Sequence, residues 1–361
     1  MGRWRSVHVH YHDAPEPLIL DGVRPLFRRL GDTVEAAYYT RHWRQGPHLR
    51  LNIRCADETF SSAVRPAVDD VLGGFLAAHP STAGLAPDTY LPMHQRLATL
   101  ERETGPLLPW HPDNSIHVED HDQRVDVHGG RRMAELLDDF YAGTTELAFE
   151  MTERAPAGSA RLAVGFDLMV TAAHALSGVG ITGGYLTYRS HAEAFLWTFT
   201  EGAGLRPAWD EHYRRHKATL HARLRRVVAA LDGTAPPKFP ASAWATALDP
   251  YRSRAEQLIG LGQFAMSQGD ARTASTLGEA SPFHRAGYAN PLWQEVQQSA
   301  GFQLYRLMLN YTYLHLSRLG VTPAERFLLC HLAANAVEDL YGVSAMGLVT
   351  RQAGEPLPGV R

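Results

Sequence analysis

Tyr38-Tyr39-Thr40-Arg41-His42-Trp43-Arg44-Gln45-Gly46-Pro47-His48-Leu49-Arg50-Leu51-Asn52-Ile53-Arg54 is the stretch that decides the fold class. It reads as two short strands joined at Gly46-Pro47, because glycine and proline punctuate and the second half alternates. Leu49, Leu51 and Ile53 fall on one face, and Arg50, Asn52 and Arg54 on the other. Two arginines on one strand face make a cationic surface suited to a carboxylate or a polar peptide. The plain alternative is a solvated outer face.

Working outward, residues 4–12 alternate with period two and predict a strand. Residues 21–30 have helical spacing, and residues 57–78 carry Phe60, Val64, Val68, Val71, Leu72 and Phe75 on one stripe. Strand, helix, strand, strand, helix suits an antiparallel sheet with helices on one face. Residues 80–130 are the least regular part, with alternation over 115–127 compatible with one or two strands. From about 131 the pattern is helical: 131–153, 159–178, 190–203, 206–232, 250–268, 290–318 and 323–341. The expected fold is α+β, with a sheet-containing region over 1–130 and a helical region over 131–350 in one compact unit.

The chain has 361 residues, 45% hydrophobic and 20% charged, with a net charge of -3. That length supports a sizeable core, and the charge offers no bulk field for nucleic acid. Two cysteines, Cys55 and Cys330, form no CxxC pair. No run approaches the roughly 20 apolar residues of a membrane span, and no signal-peptide core precedes the first strand. The expectation is a cytoplasmic protein that binds neither nucleic acid nor membrane. Nineteen histidines suggest metal at first sight, but there is no HExxH. His8, His10 and His12 lie on one strand face without a second cluster at ligand spacing, so no metal is expected. Gly178–Gly184 lacks the strand and Lys-Ser/Thr of a phosphate cradle.

The 38–54 segment resembles the RY-x-x-GPHLRLR segment of the thiopeptide-type domain found at the C-terminus of lantibiotic dehydratases. Two further phrases resemble the same domain. Tyr188-Arg189-Ser190-His191 with Glu193 and Phe195 is one, and Ser190 with Glu193 also reads as a helix capping box. Tyr185, Tyr188 and His191 then line the mouth of that helix. The other phrase is Thr322-Pro323 leading to His331 and Asn335, in which Thr322 caps a helix and His331 and Asn335 share one face. In the family this His belongs to a glutamate-elimination site, but the Arg that follows the Asn there is Ala336 here.

Elimination members also carry a Tyr-x-x-Glu-x-x-Arg-Tyr-Gly-Gly phrase, of which only Tyr90 and Arg96 have counterparts. A degraded elimination domain of this length resembles the thiopeptide pyridine synthases. The resemblance implies a formal aza-[4+2] joining of two dehydroalanines on a leader-bearing precursor peptide, with loss of water and leader, and no cofactor. It implies a catalytic Ser and Tyr in the polar insert Ala274–Tyr288, hence Ser281, His284 and Tyr288, with Asp210 as a further candidate. His48, Arg50, Arg54, Arg96, His331 and Asn335 are expected to bind the peptide. The alternatives are a glutamate-eliminating subunit of a split dehydratase and a non-catalytic peptide-binding partner.

Overall fold

A computed structural model describes residues 2–198, 204–266 and 271–351. The far ends of the helices expected over 190–203 and 250–268 lie outside the described residues. The rest divides into two compact units. The first holds residues up to Pro156 together with Ser317–Gly320, and the second holds Ala157–Leu316 and Val321 onward. The helices after residue 131 therefore begin within the first unit.

The first unit is built on a four-stranded antiparallel sheet in the order β2-β3-β1-β4. The strands are β1 (Arg3–His10), β2 (Ala36–His42), β3 (His48–Cys55) and β4 (Ser115–Asp120). Register follows the alternation: Val7 pairs with Leu51 and Val9 with Leu49, while His8 meets Arg50 and His10 meets His48. Val7, Val9, Leu49, Leu51 and Ile53 are all buried. Each such side chain contributes roughly 1.5–3 kcal/mol of burial. Helices α1 (Arg24–Leu30) and α2 (Arg65–Ala78) supply Leu26, Phe27, Leu72 and Phe75 to this core. The β2–β3 turn places Gly46 at φ 103. An added Cβ there would stand 3.2 Å from His12 Nε2 and 3.4 Å from Trp110, so glycine serves both the turn and the packing. Residues 87–101, expected to be irregular, form a helix, α3 (Pro87–Glu101), whose buried residue is His94.

Within the second unit α4 (Gly158–Ala175), α5 (Leu186–Thr198), α6 (Leu205–Leu231) and α7 (Pro323–Tyr341) pack together. The start of α7 matches its sequence signature. Thr322 Oγ1 accepts from the Glu325 amide at 3.3 Å, and Glu325 Oε2 accepts from the Thr322 amide at 2.8 Å, with Pro323 following the cap. The capping box expected at Ser190 is absent. The helix begins at Leu186, so Ser190 lies inside it, and Glu193 instead accepts from Arg206 at 2.7 Å and Trp197 at 2.9 Å. The helix already runs upstream of Ser190, with the Arg189 N–H donating to Tyr185 O at 3.1 Å, so the amides a Ser190 cap would hold lie inside the helix and bond its own carbonyls.

The expected loop Ala274–Tyr288 is also corrected. It folds as two helices, α8 (Ala271–Ala280) and α9 (Pro282–Ala289), broken at Ser281. Gly184 packs against the backbone of α4, where a Cβ would lie 2.1 Å from Ala173 O. Gly184→Ala is therefore expected to lower stability by about 1–3 kcal/mol through overpacking, read as a lower urea midpoint at unchanged slope.

Candidate functional site

In the first unit the polar face of the sheet collects imidazoles. His8 stacks on His48 with centroids 4.8 Å apart, and His10 lies 4.6 Å from both His48 and His111. His42 and His117 complete the cluster. Burial, reinforced by neighbouring cations and imidazoles, pushes His8 down to about 2, His10 to about 3 and His42 to about 4. His48 is likewise held well below its usual value, chiefly by burial. The rings are therefore neutral near pH 7. His48 Nδ1 bonds Gly46 O at 2.8 Å, and its Nε2 accepts from Arg50 Nε at 3.2 Å. Among the described residues neither ring nitrogen of His10 has a hydrogen-bond partner, although the residue is only 1% exposed. Among the described residues no group of three or more His, Cys, Asp or Glu is placed to hold a metal ion.

The two strand arginines differ. Arg54 is committed to structure, reaching Glu35 at 3.3 Å and Asp139 at 3.5 Å and lying over the Trp4 ring at 5.1 Å. Arg50 makes no salt bridge among the described residues. Burial and Arg44 pull its pKa down to about 10, so it remains charged and available to an anion or a peptide carbonyl. Nearby Glu103 is held down to about 2, first by His42, whose Nε2 lies 3.5 Å from its Oε1, and then by Arg124 among other cations. Arg96 is exposed on α3, where the buried face presents His94 to Trp43 and Trp110.

In the second unit the expected Ser281, His284 and Tyr288 lie together on α9 and its cap, and His284 reaches Ser190 of α5. Ser281 is the N-cap of α9, accepting from the His284 amide at 3.4 Å. Its Oγ also lies 2.9 Å from His284 Nδ1, and His284 Nε2 lies 3.0 Å from Ser190 Oγ. Burial lowers the His284 pKa, against a smaller opposing effect from Glu193. Tyr288 is half-buried with its ring 5.9 Å from His284, and its phenol is without a partner among the described residues. Next to Ser190, His191 Nδ1 bonds Tyr313 OH at 2.8 Å, and Tyr313 OH lies 3.3 Å from Cys330 Sγ. Burial, with Arg326, His284 and Arg306 beyond it, pushes His191 down to about 3. Ser190, Tyr313 and Arg306 carry no chemical signal in the sequence, since each sits at ordinary helical spacing.

Tyr185, immediately before α5, and Tyr188, in its first turn, are both fully buried. Tyr188 OH donates to Met169 O at 2.5 Å. Tyr185 OH makes no well-formed hydrogen bond, and burial and Glu338 raise its pKa. His331 and Asn335 meet as their spacing predicts, with Asn335 Nδ2 2.8 Å from His331 Nε2. Asp210 Oδ1 lies 3.0 Å from the same nitrogen. Arg189 fixes Asn335 from the far side, donating to its Oδ1 at 2.7 Å and to Glu338 at 2.5 Å. An amide donor and a carboxylate thus compete for one nitrogen of a buried ring whose pKa is lowered to about 4, chiefly by burial.

The first unit thus carries a sheet face of neutral imidazoles around a charged arginine, and the second unit, described by itself, carries hydroxyl–imidazole pairs. The chain matches the family described as "Lantibiotic biosynthesis dehydratase C-term" over residues 4–337, and it belongs to that family. Among solved structures it is similar to "Pyridine synthase, TbtD, from thiomuracin biosynthesis", at 38% identity and TM-score 0.78, covering 95% of this chain and 100% of that one. TsrL shares the fold at 22% identity and TM-score 0.73, covering 97% of this chain and 98% of its own. No curated protein matches the chain. Among the described residues no single helix is long and apolar enough to cross a membrane.

Proposed function

We propose that this chain is a pyridine synthase of thiopeptide biosynthesis. The observation that carries the reading is the 38% identity to a pyridine synthase across all of that protein. Side-chain chemistry supports it. A hydroxyl–imidazole chain that is neutral near pH 7 suits work on a neutral amide, which must be held as its imidic acid. That tautomer, HO–C=N–C=CH2, is a four-atom azadiene. Its terminal carbons bond the alkene of a second dehydroalanine, closing a six-membered ring. The ring then loses the former amide oxygen as water and the leader as its C-terminal carboxamide, leaving the aromatic pyridine. Holding the two alkenes face to face supplies much of the acceleration through lost entropy alone.

Ser281, His284 and Tyr288 are assigned to the reacting centre. Arg50, His48, His331 and Asn335 are assigned to the peptide. The substrate is a leader-bearing precursor peptide carrying dehydroalanines, and the chemistry calls for no cofactor.

The test is mass spectrometry of the purified protein with a leader-bearing peptide that contains two dehydroalanines. The expected product is a macrocycle lighter by water and the leader carboxamide. Conversion of a glutamylated serine peptide to dehydroalanine instead would make the protein an eliminase. Binding without either product would make it a delivery partner.

A further inference from the structure

Ser190 has lost the role its sequence context suggests. It is inside α5, it caps nothing, and its Oγ turns 3.0 Å from His284 Nε2. The protonation of this Ser281–His284–Ser190 chain follows from satisfying its buried end. Ser281 is 0% exposed, and its Oγ already accepts the His284 amide. Among the described residues its own O–H has one neighbouring acceptor, His284 Nδ1 at 2.9 Å. The other tautomer would leave that O–H buried and unspent, at about 1–3 kcal/mol. Ser281 therefore donates to Nδ1, and the imidazole carries its proton on Nε2 and donates it to Ser190 Oγ. Ser190 is partly exposed, and among the described residues His284 is the partner of its Oγ, which leaves one lone pair and its own O–H uncommitted.

From this geometry, and resting on the pyridine synthase reading, we propose that Ser190 is the hydroxyl that converts the substrate amide to its imidic acid. With the amide held in its cis rotamer, so that C=O and N–H lie on one side, Ser190 gives its proton to the amide oxygen and takes the amide N–H proton onto its free lone pair, through a six-membered cyclic array. The Oγ–H bond breaks and the O–H bond of the imidic acid forms. The amide N–H bond breaks and a new Oγ–H bond forms. Serine ends as it began, and no charge is created. The His284 Nε2–H steadies Oγ throughout without giving up its proton. His284 and Ser281 are thus positioning residues that act through Ser190. The chain spans α5, Ser281 and α9, so the orientation is set by two elements rather than by a free rotor.

Two measurements test this, and they fail separately. In the first, macrocycle formation is followed for wild type, Ser190→Ala and Ser190→Thr. Ser190→Ala is expected to lower kcat about 100-fold or more, the usual worth of a positioned proton-transfer group, with KM within about twofold. Ser190→Thr keeps the hydroxyl and is expected to recover most of the rate. A rate for Ser190→Ala within about threefold of wild type overturns the proposal. So does a threonine variant that folds normally yet is as slow as alanine. A wild-type protein that forms no macrocycle refutes the pyridine synthase reading, and Ser190's catalytic role with it.

The second measurement needs no turnover. Nitrogen-15 NMR of labelled histidine is expected to show His284 protonated on Nε2, with that N–H losing its hydrogen-bond shift in Ser190→Ala. Protonation on Nδ1 means the chain runs inward, and the proposal falls even if the protein makes pyridine.

Discussion

Lowering the pH from 8 to 5.5 is expected to cost this protein about 2–4 kcal/mol of stability. The sign follows from His8, His10 and His42, whose pKa values lie at about 2, 3 and 4 in the fold against about 6.5 in an unfolded chain. Above pH 6.5 the rings are neutral in both states and contribute no pH dependence. Below it the unfolded chain takes up protons that the fold refuses, so stability falls as pH falls. Each ring contributes up to about 1.4 kcal/mol per pH unit in this window. The groups facing them are Arg50, Arg44, His48, His111 and His117, with Glu103 as the opposing charge. Protonating one ring therefore makes the next harder to protonate. Glu103, held down to about 2, adds a loss of the same sign once pH falls below its ordinary range. A total stability of about 5–15 kcal/mol makes this loss a large fraction. Urea titrations at pH 8, 6.5 and 5.5 measure it, and a midpoint that stays constant across that range rules it out. His8→Gln is expected to flatten the dependence in part, since one of the depressed rings no longer titrates.

Arg318→Ala is expected to cost about 2–5 kcal/mol, the range for truncating a large buried side chain and leaving its hydrogen-bond partners unsatisfied. Arg318 is 1% exposed, and the segment Ser317–Gly320 joins the first unit. Its guanidinium donates to Thr144 Oγ1 at 2.9 Å, Thr145 Oγ1 at 3.0 Å and Tyr141 O at 3.2 Å. It also lies 5.1 Å over Tyr39 and 5.4 Å over Tyr141. Its backbone carbonyl accepts from Arg41 Nε at 2.8 Å, and that bond survives the substitution. Arg318→Lys keeps the charge but not the planar fork that reaches several acceptors at once. It should lose about half as much. Equal stability of the alanine variant and wild type in urea would show that the two threonines and the rings carry the site without the cation.

How much of this was legible in the chain depended on the range of the interaction involved. The strand pair at 36–55 and its two faces were readable because period-two alternation is a property of the backbone itself. The cap at Thr322 was readable because its partners lie within three residues. The helix over Pro87–Glu101 was not, because Pro92 interrupts it and little of it is apolar. The helices on either side of Ser281 were hidden by Gly, Ser and Thr, whose low propensity is overridden by packing. Ser190 misled because the same Ser-x-x-Glu spacing that makes a capping box also occurs within a helix, and only the turn before it tells the two apart.

By itself the sequence determined the α+β class, the family, and the serine, histidine and tyrosine types available for chemistry. Periodicity, motif wording and composition are all local. The tertiary structure alone decided that Arg50 stands among neutral imidazoles while Arg54 is spent on Glu35 and Asp139. It alone turned Ser190 toward His284 across 94 residues of chain. Protonation states and hydrogen-bond direction depend on burial and on partners distant in sequence, and no spacing rule along one strand or helix encodes those.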